Sequence, residues 1–127
     1  MALAPATQPM LEIAAEAADA MGAADPVALD VSERFPFADA FLIVTGEVER
    51  NVQAIADRIE KEMNLGGHRT NRREGREGGR WILLDFGELL VHVFHAEERD
   101  FYEIERLWRD CPTLDLPTPS VGLPERA

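Results

Sequence analysis

A small mixed α/β domain, with a β-sheet of about five strands flanked by helices, follows from three stretches of this 127-residue chain. Residues 40–45 (AFLIVT) are apolar without alternation, as in a strand covered on both faces. Val48, Val52, Ile55, Ile59 and Met63 recur at steps of three or four, the apolar stripe of a helix. Arg80 to Trp108 holds two apolar runs separated by Gly87-Glu88, then a charged segment whose apolar residues return at helical spacing, which predicts a β-hairpin feeding a helix. A strand, a crossover helix and further extended segments form a βαβ unit, so the sheet is expected to be mixed and the crossover right-handed.

The elements follow in order. Residues 1–8 are expected to fray. Pro9 suits the first turn of a helix, where its missing N–H costs nothing, and Leu11, Ala14, Ala18 and Met21 line one side up to the stop at Gly22. The alanine-rich side of that helix implies close packing against the core. Val27, Leu29 and Val31 alternate with Ala28 and Asp30, the period of a half-buried strand over Pro26 to Val31. A loop around Pro36 leads to the Ala40–Thr45 strand, and Thr45-Gly46 stands where it could cap the next helix, which Asn64 and Gly66 end. Gly67 to Arg80 reads as a connector whose first half pairs as an edge strand. After the hairpin, Glu97 and Glu98 favour a helix start, with Phe101, Ile104, Leu107 and Trp108 along it to about Arg109. The domain is thus expected over 9–110. Residues 111–127, with Pro117, Pro119 and Pro124, are expected to be a disordered tail.

The hairpin defines two faces of different chemistry. A glycine first in a two-residue loop suits a type II′ turn and pairs Phe86 with Leu89, Asp85 with Leu90, Leu83 with His92 and Trp81 with Phe94. Ile82, Leu84, Phe86, Leu89, Val91 and Val93 then share an all-apolar face, which is the core face. Trp81, Leu83, Asp85, Leu90, His92 and Phe94 share the other. Indole, carboxylate and imidazole among apolar neighbours make either a binding surface or a face covered by a helix with its polar groups paired.

Charge narrows the partners. The formal net charge is −11, with Lys61 the only lysine, so naked nucleic acid is disfavoured and a basic protein partner is favoured. The arginines of the connector, Arg69, Arg72, Arg73, Arg76 and Arg80, are interleaved with Glu74 and Glu77 and lack aromatic neighbours, which counts against an RNA-binding module. Gly75-Arg76-Glu77-Gly78 fits the glycine spacing of a KH loop, yet a strand follows where that loop needs a helix. No run approaches the roughly 20 apolar residues of a membrane span, and no basic segment precedes an apolar one at the N-terminus, so a cytoplasmic protein without membrane or secretory signals is expected. Cys111 is the only cysteine and, beside Pro112, is expected to be an exposed, incidental thiol.

Catalytic constellations fail on spacing. A metal-dependent nucleotidyltransferase needs two carboxylates two residues apart on one strand face, and Asp85 has Gly87 at that position. His92 and His95, three apart on a strand, point to opposite faces, and His68 is in a loop. Phosphate-binding and dinucleotide fingerprints are missing, so no cofactor, no metal and no enzymatic activity is expected. A nucleotidyltransferase-like enzyme with an unusual carboxylate set and an RNA-binding module are the alternatives.

Residues 81–87 (WILLDFG), 91–94 (VHVF), Arg99, Tyr102, Glu105, Leu107 and Trp108 resemble the signature of the ribosomal silencing factors, also called Iojap-like proteins. Residues 28–31, Asp39 ahead of AFLIVTG, Asn51 and Glu74-Gly75 fall where that family has similar residues, and the resemblance spans about Met10 to Asp110. Glu47 and Val48, where the family often has small hydroxyl residues, and the arginine-rich connector depart from it. The resemblance implies a nucleotidyltransferase-like fold without catalytic residues, a homodimer, and binding to the large ribosomal subunit through its ribosomal protein number fourteen, where the factor blocks joining of the small subunit and lowers translation when nutrients are scarce. Taken with the acidic charge and the outer hairpin face, it nominates Trp81, Leu83, Asp85, His92, Phe94, Tyr102 and Trp108 as the partner-binding set.

Overall fold

The computed structural model describes residues 4–75, 80–98 and 109–116. In chain order the elements are α1 (Thr7–Ala20), β1 (Ala24–Asp30), β2 (Ala40–Gly46), α2 (Glu49–Leu65), β3 (Arg72–Gly75), β4 (Trp81–Asp85) and β5 (Leu89–His95). The helix expected over 97–109 falls largely outside the described residues.

The five strands form one sheet in the order β1-β2-β5-β4-β3. Only β2 and β5 are parallel; the other neighbours are antiparallel, so the sheet is mixed as the βαβ reading required. β5 is central because the chain crosses with α2 to the far edge at β3 and then returns inward through β4. β2 is buried along its whole length, as its unbroken apolar run implied.

Both described helices lie on one face of the sheet. Leu11, Ala14, Ala18, Val52, Ile55, Ile59 and Met63 pack there with Leu42, Val44, Leu84, Val91 and Val93. The alanines of α1 allow the two helices to approach closely. A second, smaller cluster occupies the other face: Leu29, Val31, Ala38, Phe41, Ile43, Leu83, Leu90 and Cys111, with Phe35, Trp81 and Phe94 partly buried against it.

Helix ends depart from local expectation. The residue capping α2 is Val48, with extended backbone and no side-chain cap, and it is 49% exposed rather than the first member of the buried stripe. Gly46 instead permits the tight strand-to-helix turn, since a Cβ there would lie 2.9 Å from the Val52 nitrogen. At the C-terminus of α2 the positive φ belongs to Gly67 (+90°), and the His68 N–H donates back to the Met63 carbonyl at 2.8 Å. The same closure ends α1, with Gly22 at φ +77° and Ala23 N–H bonded to the Ala18 carbonyl.

Three terminal expectations are corrected. α1 begins at Thr7, and its hydroxyl donates to Asp39 Oδ2 at 2.9 Å while the Ala4 N–H donates to the same oxygen at 2.7 Å, so fraying does not reach residue 8. Residues 111–116 are not a free tail. The Asp30 N–H donates to the Pro112 carbonyl and the Leu114 N–H to the Ala28 carbonyl, both at 2.8 Å, so this segment runs along the outer edge of β1. That pairing buries Cys111 to 7% exposure beneath the outer face, and burial, the dominant influence, raises its thiol pKa against the opposing pull of Arg34.

Candidate partner-binding surface

The hairpin adopts the register read from its sequence. Trp81 opposes Phe94, Leu83 opposes His92 and Asp85 opposes Leu90, with the Phe86 N–H bonded to the Leu89 carbonyl at 3.0 Å. Gly87 has φ +92° and Glu88 has no positive φ, which is the type II′ pattern. Asp85 Oδ1 accepts from the Gly87 N–H at 2.8 Å, so this carboxylate also braces the turn.

Five nominated residues, Trp81, Leu83, Asp85, His92 and Phe94, therefore share the sheet face opposite α1 and α2. Tyr102 and Trp108 lie outside the described residues. Trp81, Asp85, His92 and Phe94 are half-buried, whereas Leu83 is buried. The indole Nε1–H of Trp81 donates to His92 Nδ1 at 3.4 Å, a long bond that leaves the imidazole proton on Nε2. Nε2 itself is buried and has no partner among the described residues. The His92 ring stacks with Phe94 (6.1 Å between centroids, 7° between planes) and meets Phe41 edge-on at 4.9 Å. Burial holds its pKa down, from 6.5 to about 4, so the ring is neutral at physiological pH.

Two neighbours escaped the sequence reading. Phe41 enters the face from β2, and Phe35 reaches over it from the loop between β1 and β2, 5.4 Å away ring to ring. The signal was present: Phe35-Pro36-Phe37 is an aromatic pair inside a loop, where apolar rings need a reason to be. Asp39 was noted for position alone, and its role is structural, joining α1 to the loop; its own N–H donates to the Glu88 carbonyl at 2.8 Å.

Three of the four described connector arginines are tied to carboxylates, and Arg69 is exposed. Arg73 reaches Asp57 and Glu60 of α2 at 2.8 Å each, Arg72 pairs with Glu74 at 3.3 Å, and Arg80 pairs with Glu97 and Glu98 at 3.2 and 3.0 Å. The Arg73 pairs fasten β3 to α2 and the Arg80 pairs close the open end of the hairpin, so these cations are not free for phosphate. Of the KH-like glycine pattern only Gly75 lies within the described residues. His95 is also engaged, its Nδ1 accepting from the Glu97 N–H at 3.0 Å. None of the described helices is long and apolar enough to cross a membrane.

Comparison with known proteins agrees with this architecture. The family model described as ribosomal silencing factor during starvation matches residues 4–126, well beyond the 10–110 span read from motifs. A protein of Halalkalibacterium halodurans named ribosomal silencing factor RsfS is 43% identical over 86% of this chain and 93% of its own length. A Bacillus subtilis protein of the same name is 43% identical over 84% of this chain and 91% of its own. More remotely, a mouse protein named mitochondrial assembly of ribosomal large subunit protein 1 is 27% identical over 68% of this chain but 39% of its own. A crystal structure from Bacillus halodurans superposes with a TM-score of 0.76 at 41% identity, covering 86% of this chain and 99% of that one. Fold and sequence agree: the chain belongs to the ribosomal silencing factor family.

Proposed function

We propose that this protein represses translation by binding the large ribosomal subunit through its ribosomal protein number fourteen and blocking the approach of the small subunit when nutrients are limiting. The observation that carries this reading is the outer face of the hairpin, where half-buried Trp81, His92 and Phe94 surround a small apolar cluster in a chain of net charge −11. Aromatic anchors over a desolvated centre supply affinity, and the acidic surround steers a basic partner. Trp81, Leu83, Asp85, His92, Phe94, Tyr102 and Trp108 form the contact set in this reading, and the protein works in the cytoplasm as a homodimer.

Activity comes from occupancy rather than catalysis. Asp85 braces its own turn, His92 is held neutral within aromatic rings, and Cys111 is a buried thiol, so each of these groups already has a structural task. The test is to add the purified protein to separated ribosomal subunits, following its co-sedimentation and the yield of joined ribosomes. It should travel with the large subunit and lower the yield of joined particles; binding to neither subunit would overturn the proposal.

A further inference from the structure

Among the described residues three large apolar side chains are strongly exposed: Phe37 (77%), Val48 (49%) and Leu65 (74%). Val48 precedes α2 as its capping residue, and Leu65 ends the helix beside the groove between α1 and α2. Phe37 alone belongs to the outer side of the sheet. Its ring meets Phe35 edge-on at 5.4 Å, Phe35 meets Phe41 at 5.4 Å, and Phe41 meets His92 at 4.9 Å. From His92 the row continues to Phe94 at 6.1 Å and Trp81 at 6.4 Å. One unbroken file of rings thus runs from the 32–39 loop across the outer face to the far end of the hairpin.

The loop displays Phe37 in a fixed place. The Arg34 and Phe35 N–H groups both bond to the Val31 carbonyl, at 3.0 and 2.8 Å, and Asp39 fastens the other end to Glu88 and to α1. Pro36 sets its own φ and biases Phe35 toward extended backbone. An exposed ring held this way loses little freedom on binding, which is the condition under which apolar area converts into affinity. Arg34, the one basic residue of the loop, is paired with Asp110 at 3.3 Å, and Glu88 is exposed, in a chain of net charge −11.

We infer that the partner-binding surface continues from the outer sheet face onto the 32–39 loop, where Phe37 is an apolar anchor entering a pocket on the same basic ribosomal protein surface. This inference rests on the reading given under Proposed function. The file of rings supplies continuity with that surface, and the net charge of −11 of the whole chain supplies complementarity to a cationic partner. Because Phe37 is exposed in the free protein, its removal separates binding from folding more cleanly than removal of any ring deeper in the row.

The test measures affinity for isolated large subunits and the thermal midpoint of Phe37→Ala, Phe37→Leu, Leu65→Ala and Trp81→Ala, with the oligomeric state of each. The expected result is a loss of at least tenfold for Phe37→Ala, a smaller loss for Phe37→Leu, no change for Leu65→Ala, and midpoints for both Phe37 variants within about a degree of the parent. If Trp81→Ala loses affinity while Phe37→Ala stays within twofold of the parent, the surface stops short of the loop and this inference fails alone. A changed oligomeric state for Phe37→Ala would assign the ring to contact between copies and overturn it as well. If the parent protein does not bind large subunits, the reading on which it rests fails with it.

Discussion

At the scale of single residues, His92 shows how the outer face combines packing with recognition. Phe41, Phe94 and Trp81 surround the imidazole, and it accepts the indole N–H only while neutral. Burial lowers its pKa from 6.5 to about 4, so between those values the unfolded chain binds more protons than the native one. Stability from this group is therefore complete above about pH 6.5 and declines as the pH falls toward about 4. His92→Phe should lose less stability than the parent between pH 7 and pH 4.5, read as the shift in urea midpoint; an identical loss in both would show that His92 contributes nothing to the acid response. The same placement orients Trp81, whose indole is held by a side chain that charges only in acid.

At the scale of elements, the hairpin was legible because its evidence is local. Gly87 at the head of a two-residue loop fixes which residues oppose one another, and period-two alternation then assigns every side chain to a face. α2 was legible for the same reason, apart from its start. Val48 continues the spacing of the stripe, yet it stands outside the helix because Gly46 lets the backbone turn tightly against Val52. The anchoring of the start of α1 was not legible at all, because the acceptor, Asp39, is 32 residues from Thr7. Residues 111–116 read as tail because their composition is poor in apolar groups, but they are held by backbone bonds to β1, which composition does not report. Asp39→Ala removes the acceptor for both Ala4 and Thr7 and should lower stability by about 1–2 kcal/mol. Hydrogen exchange should show the loss first in the opening turn of α1; protection unchanged there would mean that the helix start is held by packing alone.

At the scale of the whole molecule, the sheet separates two tasks. Among the described residues, the face covered by α1 and α2 carries the larger apolar core, whereas the other face carries a smaller cluster edged by half-buried rings. Such a division lets residues on the outer face change affinity at modest cost to the fold, and the acidic charge of the chain adds a long-range attraction to a basic partner. Sequence patterning revealed the two faces but not their relative depth, since that depends on Phe35, Phe41 and Cys111 arriving from other segments. Trp81 is the most direct probe of this account, being half-buried and joined to the face by one long hydrogen bond to His92. The decisive measurement is the affinity of Trp81→Ala for purified large subunits beside its unfolding midpoint: a loss of at least tenfold with the fold retained is the predicted result, and undiminished affinity, or a variant that no longer folds, would contradict it.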